Sequence, residues 1–152
     1  MKAIRNNFEN VLCEFGRVYK KKVNPSVKII DSASTYKYIK GFLPSEVNYK
    51  EFFHVIYLNA QNMILGYEKI GEGGITGVVA DVRLIFSGAL LSGATSIIVT
   101  HNHPSGNLKA SSQDIGITRR IVEIGRLMEI PMLDHIITTE DGYLSFTDEG
   151  ML

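Results

Sequence analysis

No stretch of this chain constrains its fold more than residues 95–103, Thr-Ser-Ile-Ile-Val-Thr-His-Asn-His. The β-branched run from Thr95 to Thr100 suits a strand buried on both faces of a sheet, and such a strand needs a covering layer on each side. His101 and His103 fall at its end. Two places apart in extended chain, their side chains leave the backbone on the same side, so both imidazoles can face one point. Pro104-Ser105-Gly106-Asn107 then forces a loop. Beyond it Ser111-Ser112-Gln113-Asp114 opens a helical pattern in which Ile117, Ile121, Ile124 and Met128 recur at spacings of three and four. Asp114 therefore belongs to the first turn of a helix that starts near the strand end, at the carboxyl edge of a sheet where sites in α/β proteins commonly form.

Two imidazoles and a carboxylate so arranged can hold one zinc ion. Structural zinc sites are usually closed by four protein ligands, whereas three ligands leave a position for a water whose pKa the metal lowers towards about 7. The implied chemistry is hydrolysis. Ser111-x-x-Asp114 also reads as a capping box, with Ser111 as N-cap and an acid at the third helical position; the cap and the metal site can coexist.

His101-x-His103-Pro104-x6-Ser111-x2-Asp114 resembles, without a gap, the JAMM motif of the JAB/MPN metallohydrolases. Residues 73–152, including Gly73-Gly74-Ile75-Thr76-Gly77, Asp81-Val82-Arg83 and Leu133-Asp134-His135, are similar to the bacterial RadC-type branch, and the resemblance reaches back to about residue 27. It implies an α/β sandwich of the cytidine-deaminase-like kind, with residues 1–26 as an N-terminal extension and 27–152 as the domain. It implies one zinc per chain on His101, His103 and Asp114. It further implies a glutamate general base at the start of an earlier strand, just after a helix. Glu51, before Phe52-Phe53-His54-Val55-Ile56-Tyr57-Leu58, fits that place; Glu68 in a second strand-like run and Glu72 in a Gly-rich loop are the competitors. In this scheme Glu51 takes the proton of a zinc-activated water and returns it to the leaving amine, and the Ser111 hydroxyl steadies the oxyanion. The expected substrate is an amide of a peptide or protein.

The rest of the pattern predicts helix 34–43 closed by Pro44, strands 51–59 and 63–70, helix 81–92 closed by Gly93, strand 95–101, helix 112–129 closed by Pro131, and strands 132–139 and 143–146 joined at Asp141-Gly142 as a hairpin. Residues 4–12 read as a short amphipathic helix and 14–23 as an edge strand. Hairpins mixed with crossover helices predict an α/β fold, a mixed sheet flanked by helices. Asp134 or His135 could orient a metal ligand or make a structural hydrogen bond. His54 alternates with apolar neighbours and is not expected to be a ligand. The glycines of Gly71–Gly77 lack phosphate-loop and dinucleotide spacing, so they are expected to allow close backbone approach beside a cleft.

Composition excludes other classes. With 152 residues and 45% hydrophobic ones, the chain fits one domain of ordinary size. Sixteen Lys and Arg against sixteen Asp and Glu give a net charge of zero, which gives no global case for nucleic-acid binding. Arg17, Lys20, Lys21, Lys22 and Lys28 are a local basic exception that reads as a solvated face. Cys13 is the single cysteine, excluding an internal disulfide and the Pro-Cys-x-x-Cys set of a zinc deaminase. A His-x-His site of the cupin kind needs a largely β chain, which helix 112–129 contradicts. No apolar run reaches membrane-spanning length, and the first residues lack a signal peptide's hydrophobic region, so a soluble cytoplasmic protein is expected. Longer RadC-type proteins carry an N-terminal module resembling helix-hairpin-helix domains; the roughly thirty residues before the resembling region are expected to be too few to form one. The alternative to an enzyme is a non-catalytic accessory module, nucleic-acid-associated, in DNA repair or recombination.

Overall fold

The computed structural model describes residues 27–43, 45–75 and 77–152. The sequence-predicted helix 4–12, edge strand 14–23, the basic run from Arg17 to Lys22, and Pro44 lie outside the described residues. The elements are α1 (Ser32–Lys40), a 3-10 turn (Ser45–Asn48), β1 (Phe52–Leu58), β2 (Ile64–Glu72), α2 (Val82–Ser92), β3 (Ser96–Asn102), α3 (Ser112–Leu127), β4 (Met132–Thr138) and β5 (Tyr143–Ser145). They form a mixed five-stranded sheet in the order β2-β1-β3-β4-β5. β3 and β4 run parallel with α3 as their crossover, and the other pairs are antiparallel.

β3 is central and every residue of it is buried, as its β-branched run requires. On one face Val55, Tyr57, Ile97 and Val99 pack under Ile85, Phe86 and Ala89 of α2 and Ile121 of α3. On the other, Ile56, Leu58, Ile98 and Ile136 pack with Ile39 of α1. Burying side chains of this size is worth about 1.5–3 kcal/mol each, and a slip by one place would turn each set into the opposite layer, where its packing partners are wrong, and carry Thr100 and His101 to the wrong sides.

The helix ends follow local chemistry. Asp31 caps α1, its carboxylate accepting from the Ser34 N–H while the Ser34 hydroxyl returns to the Asp31 backbone. That cap starts the helix at Ser32, two residues before the apolar periodicity suggests. α2 starts on Asp81, which accepts from the Arg83 N–H at 2.9 Å, and stops at Gly93, whose left-handed φ of 68° suits a residue without a Cβ. The β4–β5 hairpin is closed by Thr139 N–H donating to Gly142 O at 2.9 Å. Among the described residues no helix is long and apolar enough to cross a membrane.

Candidate metal centre

The site lies where β3 ends. Antiparallel register sets Phe53 across from His101, and continuing it by two places brings Glu51 opposite His103, at the same edge of the sheet. From the other side α3 delivers Ser111 and Asp114 at its first turn. Glu51, His101, His103, Ser111 and Asp114 all line one cleft of about 540 Å³.

The His101, His103 and Asp114 donor atoms converge. His101 Nε2 is 3.0 Å from His103 Nε2 and 3.0 Å from Asp114 Oδ1, and His103 Nε2 is 3.5 Å from Asp114 Oδ2. A tetrahedral ion with bonds of about 2.0–2.1 Å has ligand atoms about 3.3 Å apart, and the side chains approach one another at comparable separations, His101 meeting Oδ1 and His103 meeting Oδ2 of the carboxylate. His103 Nδ1 lies 2.6 Å from the Asn107 carbonyl oxygen, which only accepts; Nδ1 therefore carries the hydrogen, and in the neutral ring Nε2 presents its lone pair to the site. Borderline-soft nitrogen with one hard oxygen is a donor set that suits zinc. The residues present fit such an ion.

The capping-box reading of Asp114 is met and leaves its place in the cluster intact. Its Oδ2 accepts from the Ser111 N–H at 2.7 Å, and its own N–H donates to Ser111 Oγ at 3.1 Å, the full capping box. The same carboxylate still faces both histidines. Burial opposes its ionisation, but hydrogen bonds with His101, His103 and Ser111 outweigh burial and hold the carboxyl well below the ordinary carboxylate range. His103 is raised, chiefly by its hydrogen bond to Asp114, against the opposing effect of burial. Glu51 is pushed up, first by burial and also by the negative charge of Asp114, while the histidines pull it down; it is close enough to feel all three. A carboxyl raised in a cleft is suited to pass a proton back and forth.

The two competing glutamates are engaged elsewhere. Glu68 accepts from the Tyr57 hydroxyl at 2.8 Å. Glu72 pairs with Lys69 at 2.7 Å and Lys50 at 2.9 Å, which hold its carboxyl down at about 2. The Gly-rich segment beside the cleft behaves as its composition suggests: a Cβ at Gly73 would collide with the Gly77 carbonyl oxygen, so the two backbone runs pass in contact. Gly73 N–H donates to Glu51 O and Glu51 N–H to Gly74 O, tying this segment to the candidate base. His54, on the opposite face, touches none of this.

Sequence reading missed Asn102. Lying between the two histidines, it points to the other face, where its side-chain amide donates to Val47 O and Lys50 O and accepts from Phe52 N–H, each at 2.7 Å. Those three bonds strap the segment carrying Glu51 to the end of β3. A signal was present, since a buried strand position that holds an amide must satisfy both ends of it. Asp134 takes the structural role, accepting from Ser145 Oγ, Thr147 N–H and His135 N–H. His135 instead reaches the centre, with Nε2 at 2.9 Å from His101 Nδ1.

The profile of the family described as "RadC-like JAB domain" matches residues 29–151. A UPF0758 protein of Flavobacterium johnsoniae is 40% identical over 124 residues, 82% of this chain and 53% of that protein. One of Symbiobacterium thermophilum is 42% identical over 102 residues, 67% and 44% of the two chains, and one of Methanosarcina acetivorans 41% over 103 residues, 68% and 45%. The chain thus spans about half the length of the curated relatives it matches.

Proposed function

Because the chain belongs to the RadC-like JAB domain family, we propose that it is a zinc-dependent hydrolase of amide bonds, acting on a peptide or on an isopeptide-linked protein. The convergence of His101, His103 and Asp114 on one point beside the Glu51 carboxyl, at the wall of an open cleft, carries this reading. Zinc held by these three residues would supply a water acidified towards a pKa of about 7 and a positive charge facing the amide oxygen.

The chain's own groups supply the rest. Glu51 takes the proton from the attacking water as the carbonyl carbon becomes tetrahedral, and passes it to the departing nitrogen; burial raises its carboxyl, which favours its holding the proton between the two transfers. Ser111 accepts from Asp114 N–H and keeps its hydroxyl hydrogen to donate, so as charge builds on the carbonyl oxygen that hydrogen has an anionic acceptor in the cleft. Asn102 holds the base in place from behind the sheet.

Glu51→Gln tests the reading. It is expected to leave zinc binding and stability unchanged while cutting hydrolysis by roughly 10²–10⁴-fold, with Glu68→Gln and Glu72→Gln near wild type. Candidate amides are screened as peptide libraries and linked ubiquitin-like conjugates near pH 7.5. Equal turnover by Glu51→Gln rejects the assignment of the base. A wild type without hydrolytic activity that binds DNA, more weakly as salt rises, favours the accessory-module reading instead.

A further inference from the structure

A buried imidazole that the proposed chemistry does not use stands behind the metal centre. His135 on β4 is fully buried, and its ring stacks on Phe146 at 4.6 Å between centroids with Phe53 edge-on at 5.9 Å. Apolar walls of this kind set the plane of a ring but do nothing for its nitrogens. Both nitrogens nevertheless have partners. His135 Nδ1 lies 2.6 Å from Thr118 Oγ1, and His135 Nε2 lies 2.9 Å from His101 Nδ1.

The direction of these bonds follows from hydrogen counting. Thr118 Oγ1 donates to the Asp114 carbonyl oxygen at 2.6 Å, one turn back along α3, and a hydroxyl has a single hydrogen to give. Thr118 Oγ1 must then accept from His135, so His135 carries its hydrogen on Nδ1. The His135 ring is fully buried and neither nitrogen has a carboxylate partner, an environment for a neutral imidazole, which leaves Nε2 as an acceptor. His101 must therefore donate from Nδ1, and its remaining lone pair is on Nε2, the atom 3.0 Å from both His103 Nε2 and Asp114 Oδ1. The relay starts and ends at the same site: the backbone of one candidate ligand, Asp114, dictates through Thr118 and His135 the tautomer of another, His101.

We propose that His135, directed by Thr118, is a positioning residue that locks His101 in the tautomer able to bind metal through Nε2. The proposal rests on the metal-site reading above. In the unlocked ring, hydrogen on Nε2 would block the ligand position, and the metal would have to draw on the other tautomer, with hydrogen on Nδ1. Losing such an orienting partner typically costs 10–100-fold in metal affinity.

The experiment uses the whole chain, metal-stripped and titrated with zinc, beside long-range ¹H–¹⁵N spectra of the histidine rings at pH 8. The spectra are expected to show hydrogen on Nδ1 of both His101 and His135. His135→Leu, which keeps volume but offers no acceptor, is expected to bind zinc roughly 10–100-fold more weakly. His135→Gln, whose carbonyl can still accept from His101, should recover most of that loss. Thr118→Val should weaken binding and Thr118→Ser should not, a pair that serves if His135→Leu does not fold. Hydrogen on His101 Nε2, or unchanged zinc affinity in folded His135→Leu and Thr118→Val, overturns the proposal. A wild type that takes up no zinc overturns the metal-site reading instead, and the ring spectra of that metal-free chain still decide the tautomer.

Discussion

Two buried histidines sit one strand apart on opposite faces of the same sheet, and they differ in every respect that matters for function. His54 on β1 pairs in register with Thr100, and His101 on β3 pairs with Phe53. Both are nearly inaccessible, 3% and 2% exposed, so burial does not separate them. Their nitrogens do. His101 has a partner on each, His135 behind and Asp114 with His103 in front. Around His54 the ring lies among Phe42, Tyr67 and Phe52, and neither its Nδ1 nor the Thr100 hydroxyl finds a hydrogen-bond partner among the described residues. One histidine is held by a directed relay and faces a cleft; the other is packed as an aromatic slab. The two buried histidines are told apart by where their lone pairs go.

Substitution at the two positions should give the widest contrast. His101→Ala is expected to abolish zinc binding and any hydrolysis, a loss larger than the roughly 10–100-fold of an outer partner, whereas His54→Leu should leave both unchanged. Weakened zinc binding in folded His54→Leu would break the comparison. Asp114→Asn sharpens it from the helix side. Asn can keep accepting the Ser111 N–H, so the metal-free chain at pH 8 should lose less than about 1 kcal/mol, read from denaturant midpoints. Zinc affinity should fall, because the carboxylate charge is gone. A drop in stability with zinc affinity intact would make Asp114 a cap alone.

The smallest effect is on acid stability. Burial, then the nearby charge of Lys69, lowers His54 from 6.5 to about 4. Its folded pKa lies below its unfolded one, so the unfolded chain takes the proton first as pH falls. The contribution of neutral His54 is complete above about pH 6.5 and is lost between there and about pH 4, at no more than about 1.4 kcal/mol per pH unit. His54→Leu should flatten that part of the stability profile, measured by urea unfolding at pH 7 and pH 5. An identical slope in wild type and variant contradicts the assignment.

What could be read in advance divides along contact range. The strand at 96–102 and the helix at 112–127 were legible because each has a strong local pattern, one without a polar face and the other with apolar residues every three or four places. The three candidate ligands fall within fourteen residues of sequence, so one strand–loop–helix unit suffices to gather them. Glu51 could be offered only with two rivals beside it, since what brings it rather than them to the cleft is the pairing of β1 with β3, which no local pattern states. Asn102 and Thr118 were beyond that reach, and His135 could be offered only beside Asp134 as a group able to orient a ligand: their long-range bonds join residues 17 to 55 places apart and depend on how the elements pack. α1 was expected two residues late because the Asp31–Ser34 cap precedes its apolar stripe.

The most direct test of the account is a calorimetric zinc titration of the metal-stripped chain. The expected result is saturation at one zinc per chain, lost in His103→Ala and retained in Glu51→Gln. Absence of saturable binding by the folded wild type, or a His103→Ala titration that overlays it, would contradict the metal centre on which the proposed chemistry stands.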